Sequence, residues 1–135
     1  MRPLAITAIC CLSACASQDL QGYVAPLSAE GAAKAAYDIT EFVGTRTNPA
    51  AGSISVQQPE GDGLVYPALT DDLRAAGYTV TDNGKRRLRY AVSAFDDGVI
   101  LRATLGKISI ARLYHTNAAG IMEPSGPETI TEEAE

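Results

Sequence analysis

The chain has 135 residues, enough for one domain and short for two. Apolar residues make up 46%, as in a folded protein, but tryptophan is absent and only 6% of residues are aromatic, so a core must be built from Leu, Ile, Val and Ala. The formal net charge of −5 argues against a general nucleic-acid binder.

Met1-Arg2 gives a short positive start, and Leu4 to Leu12 is an apolar run broken only by Thr7. A membrane-spanning helix needs about 20 apolar residues, so this run is too short to be one. A charged start, a short apolar run and small residues are the pattern of a secretory signal. The run ends on Leu12-Ser13-Ala14-Cys15, which resembles the bacterial lipobox. That resemblance implies a signal peptide over residues 1–14, cleavage before Cys15 and a diacylglycerol on the Cys15 sulfur. Ala at position 16, rather than Asp, favours the outer membrane under enteric-type sorting. An ordinary signal peptide that happens to contain cysteines is the alternative. Cys10 and Cys11 fall in the discarded part. With Cys15 acylated, no thiol is left for a disulfide, a nucleophile or a zinc site.

Residues 15–27 read as a lipidated N-terminus and tether. Residues 28–122 read as a small α+β domain facing the periplasm. Ser28 suits a helix N-cap, with Glu30 in the first turn. Ala32, Ala35, Ala36, Ile39, Phe42 and Val43 follow helical spacing, and Gly44 is placed to close that helix ahead of Asn48-Pro49. Ser53 to Gln57 alternates like a short strand. A second helix is expected from about Asp62–Pro67 to Ala76, with Pro67 in its first turn, Leu69 and Leu73 on its apolar stripe and Gly77 as its cap. Tyr78 to Thr81 reads as another short strand, and Asp82-Asn83-Gly84 as a turn.

Residues 87–115 then read as an antiparallel meander. A two-residue turn at Asp97-Gly98 would set Ala94 opposite Leu101, Val92 opposite Ala103 and Tyr90 opposite Leu105. A turn at Gly106-Lys107 would set Leu105 opposite Ile108, Ala103 opposite Ile110 and Val99 opposite Tyr114, with Leu101 opposite Arg112 as the one exception. The expected architecture is therefore two helices packed on one face of a small antiparallel sheet, in the order αβαβββ. The other sheet face would carry Arg87, Arg89, Ser93, Arg102, Thr104 and Ser109, joined by Ile100 and Leu113. Ile121-Met122 could add an edge strand, and residues 123–135 read as an acidic, disordered tail.

Chemistry-bearing motifs are sparse. His115 is the one histidine, and a single histidine without a free cysteine does not make a metal site. There is no nucleophile elbow, P-loop or dinucleotide fingerprint. Glu60-Gly61-Asp62-Gly63 lacks the spaced ligands of a calcium loop. Asp71-Asp72 is an adjacent pair that would not converge on a helix. No catalytic residue, no cofactor and no small-molecule substrate are expected. Charge, by contrast, is segregated. Residues 84–116 carry Lys85, Arg86, Arg87, Arg89, Arg102, Lys107 and Arg112 against Asp96 and Asp97, while residues 117–135 carry five glutamates and no base. The cluster Lys85, Arg86, Arg87, Arg89, with Arg102, is the candidate partner-docking site. A charged strand that blocks edge-to-edge aggregation would look the same.

The whole chain resembles the TrbH family of conjugal transfer lipoproteins. The residues that carry the resemblance are Leu12-Ser13-Ala14-Cys15 and Gly22-Tyr23-Val24 soon after. Leu69-x-x-x-Leu73-x-x-x-Gly77-Tyr78-x-Val80 follows, and Arg112-Leu113-Tyr114 precedes Ser125-Gly126-Pro127. The resemblance implies an outer-membrane lipoprotein of a type IV secretion apparatus that acts in mating-pair formation. Its partners would be other conjugation-channel proteins and, through lipidated Cys15, the membrane. No enzymatic residue carries over. A general envelope lipoprotein that binds a small molecule or assists outer-membrane assembly is the competing expectation.

Overall fold

The computed structural model describes residues 27–96, 98–119 and 121–133. Helix α1 spans Ala29–Arg46 and is started by Ser28, whose Oγ accepts the Gly31 N–H at 3.0 Å. Its inner face is small: Ala32, Ala35 and Ala36 are buried, followed by Ile39, Phe42 and Val43. Gly44 does not end the helix. Nothing local forces a left-handed turn there, and the Thr45 hydroxyl donates back to the Phe42 carbonyl at 2.8 Å. The stop comes at Thr47, whose N–H caps the Val43 carbonyl at 3.0 Å, and the next residue, Asn48, is held extended by Pro49. A single 3-10 turn, Pro49–Ala51, leads to strand β1, Ile54–Gln57.

Helix α2 spans Val65–Ala75 with Pro67 in its first turn, where the missing N–H costs nothing. It ends as expected at Gly77, with φ +97. The Tyr78 N–H donates to the Leu73 carbonyl and the Gly77 N–H to the Arg74 carbonyl, both at 3.0 Å. The strand expected over Tyr78 to Thr81 shrinks to one parallel bridge between Val80 and Ile54.

Strands β2 (Arg86–Phe95), β3 (Gly98–Leu105) and β4 (Ile108–Thr116) form the meander. Its second hairpin has the expected register throughout, including Leu101 opposite Arg112. The first hairpin is displaced by two residues. Ala94 stands opposite Val99 and Phe95 opposite Gly98, so the connection falls between Phe95 and Gly98. Gly98 therefore belongs to the strand. A Cβ there would lie 1.9 Å from the Tyr114 carbonyl oxygen, so its bare backbone serves close approach to β4 rather than the turn. Asp96 takes the positive φ, +48, a conformation that Asp tolerates. A shift of two keeps every side chain on its expected face; a shift of one would have reversed them all.

The C-terminal region also departs from expectation. Met122–Pro124 forms β5 on the far half of β4, and Thr129–Glu132 forms β6 on its near half. The sheet thus has six strands in the order β1-β2-β3-β4-β5, with β6 also on β4. The one parallel pair is β1 with β2. Both helices lie on the same face, and their stripes meet Leu88, Tyr90, Val92, Leu101, Ile110 and Tyr114 in one core. Each fully buried Leu, Ile or Val there contributes roughly 1.5–3 kcal/mol. The fold class is α+β, as expected, with the order αβαβββ extended by two strands.

Candidate docking surface

Strand alternation divides the basic cluster. Arg86 faces the helices, where its Nη1 donates to the Thr47 Oγ1 and ties the start of β2 to the end of α1. The Tyr78 hydroxyl donates to the carbonyl of Thr47 at 3.0 Å. Burial pushes the Tyr78 phenol above its ordinary pKa, and the Arg86 charge only partly opposes the shift. Arg86 is thus a packing residue. Lys85 stands at the entry of β2, with its N–H on the Ser53 Oγ at 3.3 Å and its own side chain exposed. Arg87 and Arg89 project from the opposite, uncovered face of the sheet. Arg102 projects beside them from β3, diagonal to Arg89, because Arg89 pairs with Thr104 and Arg102 with Ala91. Three of the five residues therefore share one surface. Cys15 lies outside the described residues.

Among the described residues, the acidic C-terminal region makes no ion pair with Arg87, Arg89 or Arg102. It pairs with β4, so Arg89 on β2 stands three strand spacings away, about 14 Å. There Glu123 approaches the His115 Nε2 at 3.2 Å, and the Ser125 Oγ meets the His115 Nδ1 at 3.0 Å, clipping β5 to β4. Next to this clip, the open sheet face holds a slot of about 580 Å³ with Ile100, Ala111 and Leu113 along it and Gly126-Pro127 beside them. Arg102 lines one side.

Two carboxylates do converge with other polar groups, and sequence reasoning missed both. Asp62 is buried, 7% exposed. Its Oδ1 accepts the Leu64 N–H at 3.0 Å and the Val65 N–H at 2.8 Å; its Oδ2 accepts the Tyr66 N–H at 2.9 Å and the Tyr90 hydroxyl. It thereby caps α2 from two residues before the cap position and pins the helix to the middle of the sheet. Burial holds the Tyr90 phenol far above its ordinary pKa, and the hydrogen bond to Asp62 and that carboxylate's charge add to the shift. Asp38 on α1 accepts the Tyr114 hydroxyl and pairs with Lys34 at 3.1 Å. Tyr114 is raised likewise, by burial first and by Asp38 second. Arg112, the exception on the covered face, lies over the Tyr114 ring at 6.0 Å. It lines a cleft of about 320 Å³ with Asp38, Glu41 and Glu128, and its Nε has no hydrogen-bond partner among the described residues.

Both carboxylates are engaged in hydrogen bonds that cap and cross-link the fold. Among the described residues no group of three or more His, Cys, Asp or Glu side chains is placed to hold a metal ion. No described helix is long and apolar enough to cross a membrane. The polar surface with unspent capacity is the arginine face.

No curated protein and no solved structure matches the chain. A family model described as conjugal transfer protein TrbH matches residues 16–134, which takes in both helices and all six strands. The chain belongs to the TrbH family of conjugal transfer proteins.

Proposed function

We propose that this protein is a non-enzymatic, lipid-anchored component of a conjugal transfer channel of the type IV secretion kind, acting in mating-pair formation. The observation that carries the reading is family membership across nearly the whole chain. Lipid on Cys15 anchors the chain in the outer membrane, and the α+β domain faces the periplasm as a docking module for other transfer proteins. The lipobox-like Leu12-Ser13-Ala14-Cys15 supports the anchor. Support for docking rather than catalysis comes from the side chains themselves: the converging carboxylates hold the fold, while arginines stand free on an open sheet face. Residues 16–27 reach at most about 40 Å when extended, which sets how far from the bilayer the domain works.

A single substitution tests the anchor. Cys15→Ser should move the protein from the outer-membrane fraction to the periplasm and lower transfer frequency, with the domain still folded. A variant that stays in the membrane fraction sinks the anchoring claim. For the channel role, the wild-type protein should co-purify with secretion components from conjugating cells, and deleting it should reduce transfer. Normal transfer in the deletion strain would refute that role.

A further inference from the structure

The outward positions of β2, β3 and β4 include Arg87, Arg89 and Arg102 and no acid, on a chain whose net charge is −5. Asp82 shares a hollow with Arg87 near β1. Arg89 and Arg102 have no such neighbour: among the described residues neither makes an ion pair. As diagonal neighbours on an antiparallel pair they stand about 7–8 Å apart. Two guanidinium groups carried on backbone positions this close repel each other and gain from an anion placed between them. Each offers a planar fork that a carboxylate fills with two hydrogen bonds. Arg102 in turn lines the apolar slot of Ile100, Ala111 and Leu113, with Leu113 39% exposed.

We propose that this face binds an extended, acidic segment of a partner protein, with carboxylates on Arg89 and Arg102 and an apolar side chain in the Leu113 slot. The inference rests on the docking role above and gives it a place and a chemistry. Charge complementarity selects the occupant. A second copy would bring its own negative excess, but Glu123 and Glu132 of its C-terminal region are already paired into its own sheet, in β5 and β6. A bilayer could supply phosphates, but the slot beside the arginines is walled by Gly126-Pro127, and a flat surface does not enter it. A chain segment meets both halves of the site.

The probe is a fluorescent peptide, acetyl-Glu-Glu-Leu-Val-Glu-Asp amide, titrated with the full chain in detergent micelles. A counterpart with every acid replaced by Lys serves as control. The acidic peptide should bind saturably and more weakly as salt rises; the Lys counterpart should not bind. Arg89→Glu with Arg102→Glu should weaken binding about tenfold or more, and Leu113→Ala should weaken it several-fold. Tyr37→Ala, on the helix side, should leave it unchanged. Arg89→Gln with Arg102→Gln replaces the reversal if circular dichroism shows the latter unfolded. Equal binding of both peptides, no binding at millimolar peptide, or an arginine variant that binds like wild type overturns the proposal. So does arginine-dependent binding to phosphatidylglycerol vesicles in place of peptide binding, which assigns the face to a membrane. A dimer dissolved by the same substitutions assigns it to a second copy and also overturns it. Normal transfer in a deletion strain would remove the channel role while leaving peptide binding standing, so the two readings fail separately.

Discussion

Leu101 and Leu113 lie on neighbouring strands of one sheet, on opposite faces. Leu101 is fully buried beneath the helices, whereas Leu113 is 39% exposed on a face that no helix covers. The same alternation separates Arg86, turned toward Thr47 and the core, from Arg87 and Arg89, turned outward. On the covered side, polar groups are few and, the Arg112 Nε apart, paired: Asp62 with Tyr90, Asp38 with Tyr114. On the open side, Arg89 and Arg102 make no ion pair among the described residues, and Arg102 lines an apolar slot. The difference teaches that one face is spent on stability and the other is available for contact, because a buried polar group must be satisfied within the fold and an exposed one need not be.

Removing the Asp62 carboxylate should break the comparison most severely. Asp62→Ala strands three backbone donors and a buried phenol, so it should cost about 3–4 kcal/mol in chemical denaturation, while Arg89→Ala should change stability by under about 0.5 kcal/mol. Similar losses for the two would mean that the faces do not divide the work. Next come the two leucines. Leu101→Ala should cost about 3 kcal/mol and Leu113→Ala less than about 1 kcal/mol, read from the same unfolding curves; equal costs would show that the open face is buried in solution.

Alkali sharpens the contrast within the covered face. Tyr78, Tyr90 and Tyr114 have folded-state pKa values raised above the ordinary 10.0. Their contribution is therefore fully present below pH 10 and declines as pH rises above it, by at most about 1.4 kcal/mol per pH unit for each tyrosine. Stability measured from about pH 9 to 11.5 should fall, and Tyr90→Phe should flatten the slope. A slope that Tyr90→Phe leaves untouched would count against the burial of that phenol. The smallest effect is a gain. Gly44 lies inside α1 with open space where an alanine methyl group would sit, so Gly44→Ala should raise stability by about 0.5–1 kcal/mol. A loss would indicate that α1 bends or ends there.

Much of the fold could be read from residues alone where alternation was long and one-sided. Leu105, Ala103 and Val99 found their partners on β4 because a two-residue turn at Gly106-Lys107 sets apolar side chains opposite all three, with Leu101 opposite Arg112 the one exception. The first hairpin slipped because Asp97-Gly98 carries a strong turn signal, while the need for Gly98 came from Tyr114 on β4, a strand outside that hairpin. Strand β5 was legible only as a short edge strand at Ile121-Met122, and β6 escaped because it is short and all four of its positions are exposed. For the candidate site, a run of four bases in five positions looked like one patch. Period-two alternation was the signal that would have removed Arg86 from it. Asp62 was legible as the neighbourhood of a helix start; its partner Tyr90, 28 residues on, was not.

The C-terminus lies along β4 and covers that strand from both ends. Residues 122–124 and 129–132 take up its hydrogen bonds, and the Ser125 N–H meets the Leu113 carbonyl at 2.8 Å between them. The strands that then form the border are three and four residues long and flanked by glutamates, a poor template for further pairing. The tail is thus a chain terminator for the sheet. A protein shortened after Thr116 would bare nine residues of strand edge, a template for adding strands from other chains.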